Sequence, residues 1–158
     1  MKIKKINRVN LRPVNLGRRI GSRLAAIQFL FETKNKFSNN EDLKKFALFF
    51  EQNFSLDLKI QKIDFVFFKN LVIGVNEKIV FIDKFISDNL KEEWKIDRVS
   101  FHELSVLRVA IYELISIKKV PFKSIISEYI DIGDSLNSDV SFINALLDKA
   151  SKKFRQNN

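Results

Sequence analysis

The chain has 158 residues, 46% of them hydrophobic, and its 28 Lys and Arg against 19 Asp and Glu give a formal charge of +9. That length bounds one compact domain with a sizeable core, and the composition excludes intrinsic disorder. With no cysteine, disulfide frameworks, thiolate metal sites and cysteine nucleophiles are excluded, which fits a reducing compartment.

The excess charge sits at one end. Residues 1–23 carry eight bases (Lys2, Lys4, Lys5, Arg8, Arg12, Arg18, Arg19, Arg23) and no acid, leaving 20 bases against 19 acids over residues 24–158. Residues 1–17 are expected to form a flexible basic extension, and residues 18–158 a single helical domain. The apolar run Leu24–Phe31 is broken by Gln28 and followed by Glu32 and Lys34, unlike a secretory signal. An Arg-rich organelle transit peptide would be cleaved ahead of a helix that is integral to the fold. No stretch approaches the ~20 apolar residues of a membrane span, so the expectation is a soluble, cytoplasmic protein.

Only four Gly and two Pro punctuate the chain, and its apolar spacing is helical almost throughout. The fold class is therefore all-α, six or seven short helices on one core filled mostly by the sixteen Phe. The first helix is expected from Arg18 or Arg19 to about Thr33, and a second, capped by Asn40, from Glu41 to about Asn53. From Leu56 to about Leu90 the stripe Phe68, Leu71, Val72, Val75, Ile79, Ile82, Ile86 keeps one face, and its length predicts two helices broken near Gly74–Asn76. A helix from Phe101 to Ile117 follows, with Leu104, Leu107, Ile111 and Leu114 as its seam. Pro121 suits the first turn of the next, which runs to about Ser135. Asn137 or Ser138 is the expected cap of a last helix carrying Phe142, Leu146 and Ala150.

Enzymatic motifs are scarce. His102 is the single histidine, which removes His-pair metal sites, and its neighbour Glu103 points elsewhere on a helix. No Gly-rich phosphate loop exists, so no catalytic residue, metal or cofactor is expected. Glu103, Glu113 and Glu128 lie in otherwise apolar helices; carboxylate-only chemistry stays open there, but they read first as carboxylates paired with Arg108 or a backbone donor. The arginines are more informative. Arg19 and Arg23, four apart, share a helix face that Arg18 flanks, and like charges so close repel unless an anion joins them. Nucleic acid is the leading partner; an acidic protein, a membrane surface or no partner at all stay open on charge alone. Lys2, Lys4 and Lys5 need reflect only base composition.

The stretch "WKIDRVSFHELSVLRVAIYELISIKKVPFKSIISEYIDI", followed by "SFINALLDKA", resembles the bacterial transcription antitermination family NusB. That family combines W-x-x-D-R, L-R-x-A-x-Y-E-L, V-P, I-x-E and F-V-N-G-V-L-D-K. "RRIGSRLAAIQFLF" and "FFKNLVIGV" match its earlier helices, so the likeness covers about residues 18–155. It implies two packed three-helix bundles and a non-catalytic adaptor. Such an adaptor pairs with NusE, a small-subunit ribosomal protein, and binds single-stranded boxA RNA of nascent ribosomal transcripts. It also joins the elongation complex with other Nus factors and assists ribosome assembly. The resemblance places Arg18, Arg19, Arg23 and Phe142 on the RNA surface and Phe31 and Glu103 on the NusE surface. The chain departs from the family pattern at Ile20 (arginine), Ser22 (a small residue), Phe31 (tyrosine), Ser127 (asparagine), Asp134 (lysine) and Ala145 (glycine), and it has a longer start. A scaffold or homodimer without an RNA role, and an RNA-binding subunit for a separate ribosomal RNA methyltransferase, are the alternatives.

Overall fold

The structure, a computed structural model, describes residues 18–36, 39–58 and 63–155. The expected extension at residues 1–17 lies outside them. Six α-helices follow in order: α1 Arg18–Thr33, α2 Asn40–Leu58, α3 Phe65–Asp88, α4 Phe101–Ser116, α5 Phe122–Ser135 and α6 Val140–Phe154. A 3-10 turn at Ile96–Arg98 leads into α4. No strand occurs among the described residues, as the absence of period-two alternation predicts.

Helices α1, α2 and α3 contact one another, as do α4, α5 and α6, and α4 also packs on α1 and α3. This makes α4 the central element, with Leu104, Val106, Leu107, Val109, Ala110, Ile111 and Leu114 all buried. In the first bundle Phe29 meets Phe46 edge-on at 5.2 Å, and Phe68 packs against both rings at 6.1 and 6.2 Å. Such edge and offset contacts hold aromatic rings in one arrangement more strictly than aliphatic packing does. Among the described residues six phenylalanines are buried, Phe29, Phe46, Phe50, Phe67, Phe68 and Phe85, while Phe54, Phe65, Phe101, Phe122, Phe142 and Phe154 lie half-buried over the core.

Three local expectations change. First, α3 runs unbroken through Gly74–Asn76, and the division of the long apolar segment falls earlier, ahead of Asp64. Asp64 caps α3 by accepting from the Phe67 N–H at 3.1 Å, and its own N–H donates to the Ser22 hydroxyl at 2.8 Å. Ser22 therefore ties α1 to the start of α3. Gly74 is an interior helical glycine whose purpose is close approach, since an added Cβ would lie 1.9 Å from Cζ of Tyr112 on α4. Second, α2 begins at Asn40 and is not capped by it, since Asn39 Oδ1 accepts from the Asp42 N–H at 3.1 Å, and it extends beyond Asn53 to Leu58. Third, α6 is capped by Asp139, whose carboxylate accepts from the Phe142 N–H at 3.1 Å, not by Asn137 or Ser138.

Those two residues instead close α5. Asn137 adopts φ 56°, the Ser138 N–H donates to Gly133 O at 2.9 Å, and the Asn137 N–H donates to Asp134 O at 3.1 Å. This is the left-handed helix stop that asparagine tolerates better than most residues.

Gly74→Ala should lower unfolding stability by about 1–3 kcal/mol, despite alanine's helix propensity, because the Tyr112 ring has to be displaced. Urea denaturation measures this; a stabilised variant would show that α3 and α4 are not in such close contact.

Candidate nucleic-acid interface

The first turn of α1 carries no acidic residue, so the positive end of the helix dipole adds to the arginine charges. Arg18 and Arg19 are both exposed. Arg19 lies with its guanidinium carbon 4.1 Å from the centre of the Phe67 ring, a cation–π contact that holds a long side chain in place while its outer edge faces solvent. Together these features form an anion-attracting surface at one end of the domain.

Arg23 departs from its expected place on that face. It is only 5% exposed, one turn further into the helix, and its Nε and Nη2 donate to Glu113 Oε2 and Oε1 at 2.9 and 2.6 Å. Tyr129 on α5 donates its hydroxyl to the same Glu113 Oε2 at 2.5 Å. The anion that had to join the close arginines is thus supplied by the chain itself. Burial works against the charge on Arg23, but hydrogen bonding to Glu113 and the surrounding negative charge more than reverse this, and its pKa is raised. Burial and then the Glu113 charge hold the Tyr129 hydroxyl well above its ordinary value.

Arg108, expected to neutralise a helix glutamate, instead grips Asp83 of α3 with two bonds of 2.8 Å. Glu103 accepts from the backbone N–H of Asp139 at 3.1 Å, linking the first turn of α4 to the start of α6. Nearby, the half-buried Phe31 ring lies 4.5 Å from His102 and 6.1 Å from Phe101. Half-buried Phe142 is 6.3 Å from the exposed Trp94, and both line a cleft of about 370 Å³ between the end of α3 and the start of α6.

Because α1 lies antiparallel to α4, with Arg23 against Glu113 and Phe31 against His102, the expected residues fall at two ends of α4. Arg18 and Arg19 stand at its C-terminal end; Phe31, Glu103 and Phe142 gather at its N-terminal end. Sequence reasoning missed Tyr129, whose spacing carries no sign of its long reach to Glu113, and it used Trp94 only as the first residue of the W-x-x-D-R motif, not as part of a cleft. No group of three metal-ligating side chains occurs among the described residues, and no helix there is long and apolar enough to cross a membrane.

Residues 21–152 match the NusB family. The chain is 37% identical over 135 residues to the transcription antitermination protein NusB of Clostridium botulinum (strain Alaska E43 / Type E3), a match spanning 84% of this chain and 96% of that protein. It is 32% identical over 143 residues to the protein of the same name from Nitrobacter winogradskyi, spanning 87% and 88% respectively. The solved structure of T. maritima NusB superposes with a TM-score of 0.67 at 28% identity, covering 88% of this chain and 94% of that one.

Two predictions follow from the buried pair. Arg23→Ala should destabilise by about 3–5 kcal/mol, because Glu113 would be left buried without its cation, whereas the apolar double replacement Arg23→Met with Glu113→Leu should cost far less. Equal losses in thermal melts of both variants would contradict this. The raised Tyr129 pKa also sets an alkaline limit: its contribution is complete below the unfolded value of 10.0 and is lost as pH rises above it. Urea midpoints measured between pH 8 and 11 should therefore fall more steeply for the natural chain than for Tyr129→Phe; parallel curves would refute the assignment.

Proposed function

From a chain that belongs to the NusB family, transcription antitermination factors and not enzymes, we propose an adaptor that binds single-stranded boxA RNA of nascent ribosomal transcripts together with NusE. It joins the elongation complex with other Nus factors in the bacterial cytoplasm, without a cofactor, and supports ribosomal RNA transcription and ribosome assembly. Arg18 and Arg19 contact phosphates, Phe142 meets a base, and Phe31 with Glu103 contributes to the NusE surface. Arg23 acts from within, holding the α1 start against α4 and α5.

The observation that carries this reading is the division of the arginine cluster. Two guanidinium groups are exposed at an acid-free helix N-terminus, one of them steadied on Phe67, while the third is neutralised in the core. Guanidinium forks at such a position suit phosphate oxygens, and phosphate contacts supply most of the affinity of proteins for nucleic acid. Phe31 and Glu103 support the second surface by sharing one end of the domain: the Phe31 ring of α1 packs on His102 and Phe101 in the first turn of α4, the turn that also carries Glu103.

Gel shift with boxA-like RNA, with and without NusE, tests the reading. Replacing Arg18 and Arg19 by Ala should weaken binding and flatten the log–log salt dependence by roughly 1.4, about 0.7 for each lost phosphate contact on a single strand. Unchanged affinity and slope in a folded double variant would move the RNA site away from α1. A chain that binds neither RNA nor NusE yet self-associates would favour the scaffold reading.

A further inference from the structure

We infer that the outward face of α3 pairs with the same face of a second copy of this chain, antiparallel about Val80 and Phe81, to form a weak homodimer. This pairing stands on the geometry of α3 and is independent of the RNA reading. One side of α3 enters the core through Phe67, Phe68, Leu71, Val75, Ile82 and Ile86. The opposite side is open, and it is not a uniformly polar helix exterior.

Along that side lie Val66, Asn70, Ile73, Glu77, Val80 and Lys84, in alternating steps of four and three, with Ile73 half-buried and the rest exposed. Such spacing keeps one face of a helix, and here β-branched apolar residues recur every seven positions with polar ones between them. Val80 is 81% exposed, and beside it Phe81 is 51% exposed. The Phe81 ring packs at 5.9 Å on the half-buried Phe154 of α6, which widens the apolar surface beyond the helix itself. Adjoining exposed apolar side chains of this kind mark an interaction site.

The charges select a second copy as the occupant. Glu77 lies three residues before Val80, and Lys84 three residues after Phe81. In an antiparallel pair centred between Val80 and Phe81, each copy's Glu77 therefore faces the other's Lys84 on both sides of an apolar centre, the self-complementarity that a two-fold interface requires. A parallel pair would oppose like charges instead. Within α3, Lys69, Lys78 and Lys84 balance Glu77, Asp83 and Asp88, so two copies meet here without the repulsion that the chain's charge of +9 brings elsewhere. Lys84 already bonds to Asp88 at 2.8 Å, but both are exposed, and such a pair holds a lysine too weakly to withdraw it. One helix per copy gives an interface below about 1,200 Å², the class that associates weakly and reversibly. Its centre is about 20 Å along α3 from Phe67, on which Arg19 rests, so the basic start of α1 stays uncovered in the dimer.

Sedimentation equilibrium of the full chain over about 5 to 500 µM tests the pairing, because mass action must drive a weak dimer together within that range. The mass should rise from one chain toward two. Glu77→Lys or Lys84→Glu should each weaken the dimer about tenfold by opposing like charges, and the Val80→Ser, Phe81→Ser variant should lose it. Mixing Glu77→Lys chains with Lys84→Glu chains should restore association, since the facing charges again differ in sign. All four positions are exposed, so the variants should keep the helical circular dichroism of the natural chain. A mass that stays at one chain throughout overturns the inference, and so does association that charge reversal leaves unchanged, which would place the contact on another surface. A monomeric chain that binds NusE and loses it in the Val80→Ser, Phe81→Ser variant would give the face to that protein and overturn the pairing too. Gel shift with boxA-like RNA is scored separately: a dimer that binds no RNA contradicts the RNA reading and leaves the pairing standing.

Discussion

A guanidinium sealed into an apolar core needs an anion with it, and the position of α1 depends on that requirement. Arg23 enters from α1, Glu113 from α4 and Tyr129 from α5, so one cluster of hydrogen bonds joins both three-helix bundles. Taking two charges out of water costs several kcal/mol each, and only the paired fork with Tyr129 at the shared oxygen offsets that cost. An apolar contact would tolerate a range of helix rotations, but two bonds from a planar fork to a planar carboxylate tolerate few. With Arg23 held inward, the helical period turns Arg19 onto Phe67 and leaves Arg18 at the exposed end, and Ser22 completes the arrangement by bonding to the Asp64 cap of α3.

The same constraint separates the roles of three adjacent arginines. By composition they are one basic cluster; by burial they are two surface cations and one structural cation. The net charge of the surface near α1 is therefore smaller than the sequence suggests, and the cations that remain are better placed. Arg19 loses side-chain freedom to the Phe67 contact before any partner arrives, which lowers the ordering cost of binding. Asp83 and Arg108 repeat the internal pairing between α3 and α4, so Arg108 and Glu113 of the central helix both serve cohesion.

The helical class and the outer limits of α1, α4 and α5 were legible because apolar period, Pro121 and the polar breaks all agree. The α3 break was misread because a glycine in a helix looks locally like an interruption; its reason, the Tyr112 ring, comes from a residue 38 positions away. Asn137 was recognised as a boundary residue but assigned to the wrong side, since asparagine serves both as N-cap and as left-handed stop. The need for an anion near Arg19 and Arg23 was legible from charge alone. That Glu113 supplies it, and that Arg108 turns to Asp83, depends on which helix faces pack, and helix spacing in one dimension does not contain that information. Phe31, Glu103 and Phe142 came from family motifs; their grouping at one end of α4 becomes visible only through the antiparallel pairing of α1 with α4.

The central claim is that this domain engages RNA through two places at opposite ends of α4 while its buried arginine stays within the fold. Amide hydrogen exchange of the NusE complex, measured with and without boxA-like RNA, examines it most directly, because the first N–H groups of a helix have no intrahelical partner and exchange freely until something covers them. The account predicts RNA-dependent slowing in the first turn of α1 and in the segments around Trp94 and Phe142, with α2 unchanged. Slowing confined to the C-terminal Lys152–Arg155 region, or spread evenly over the molecule, would contradict it.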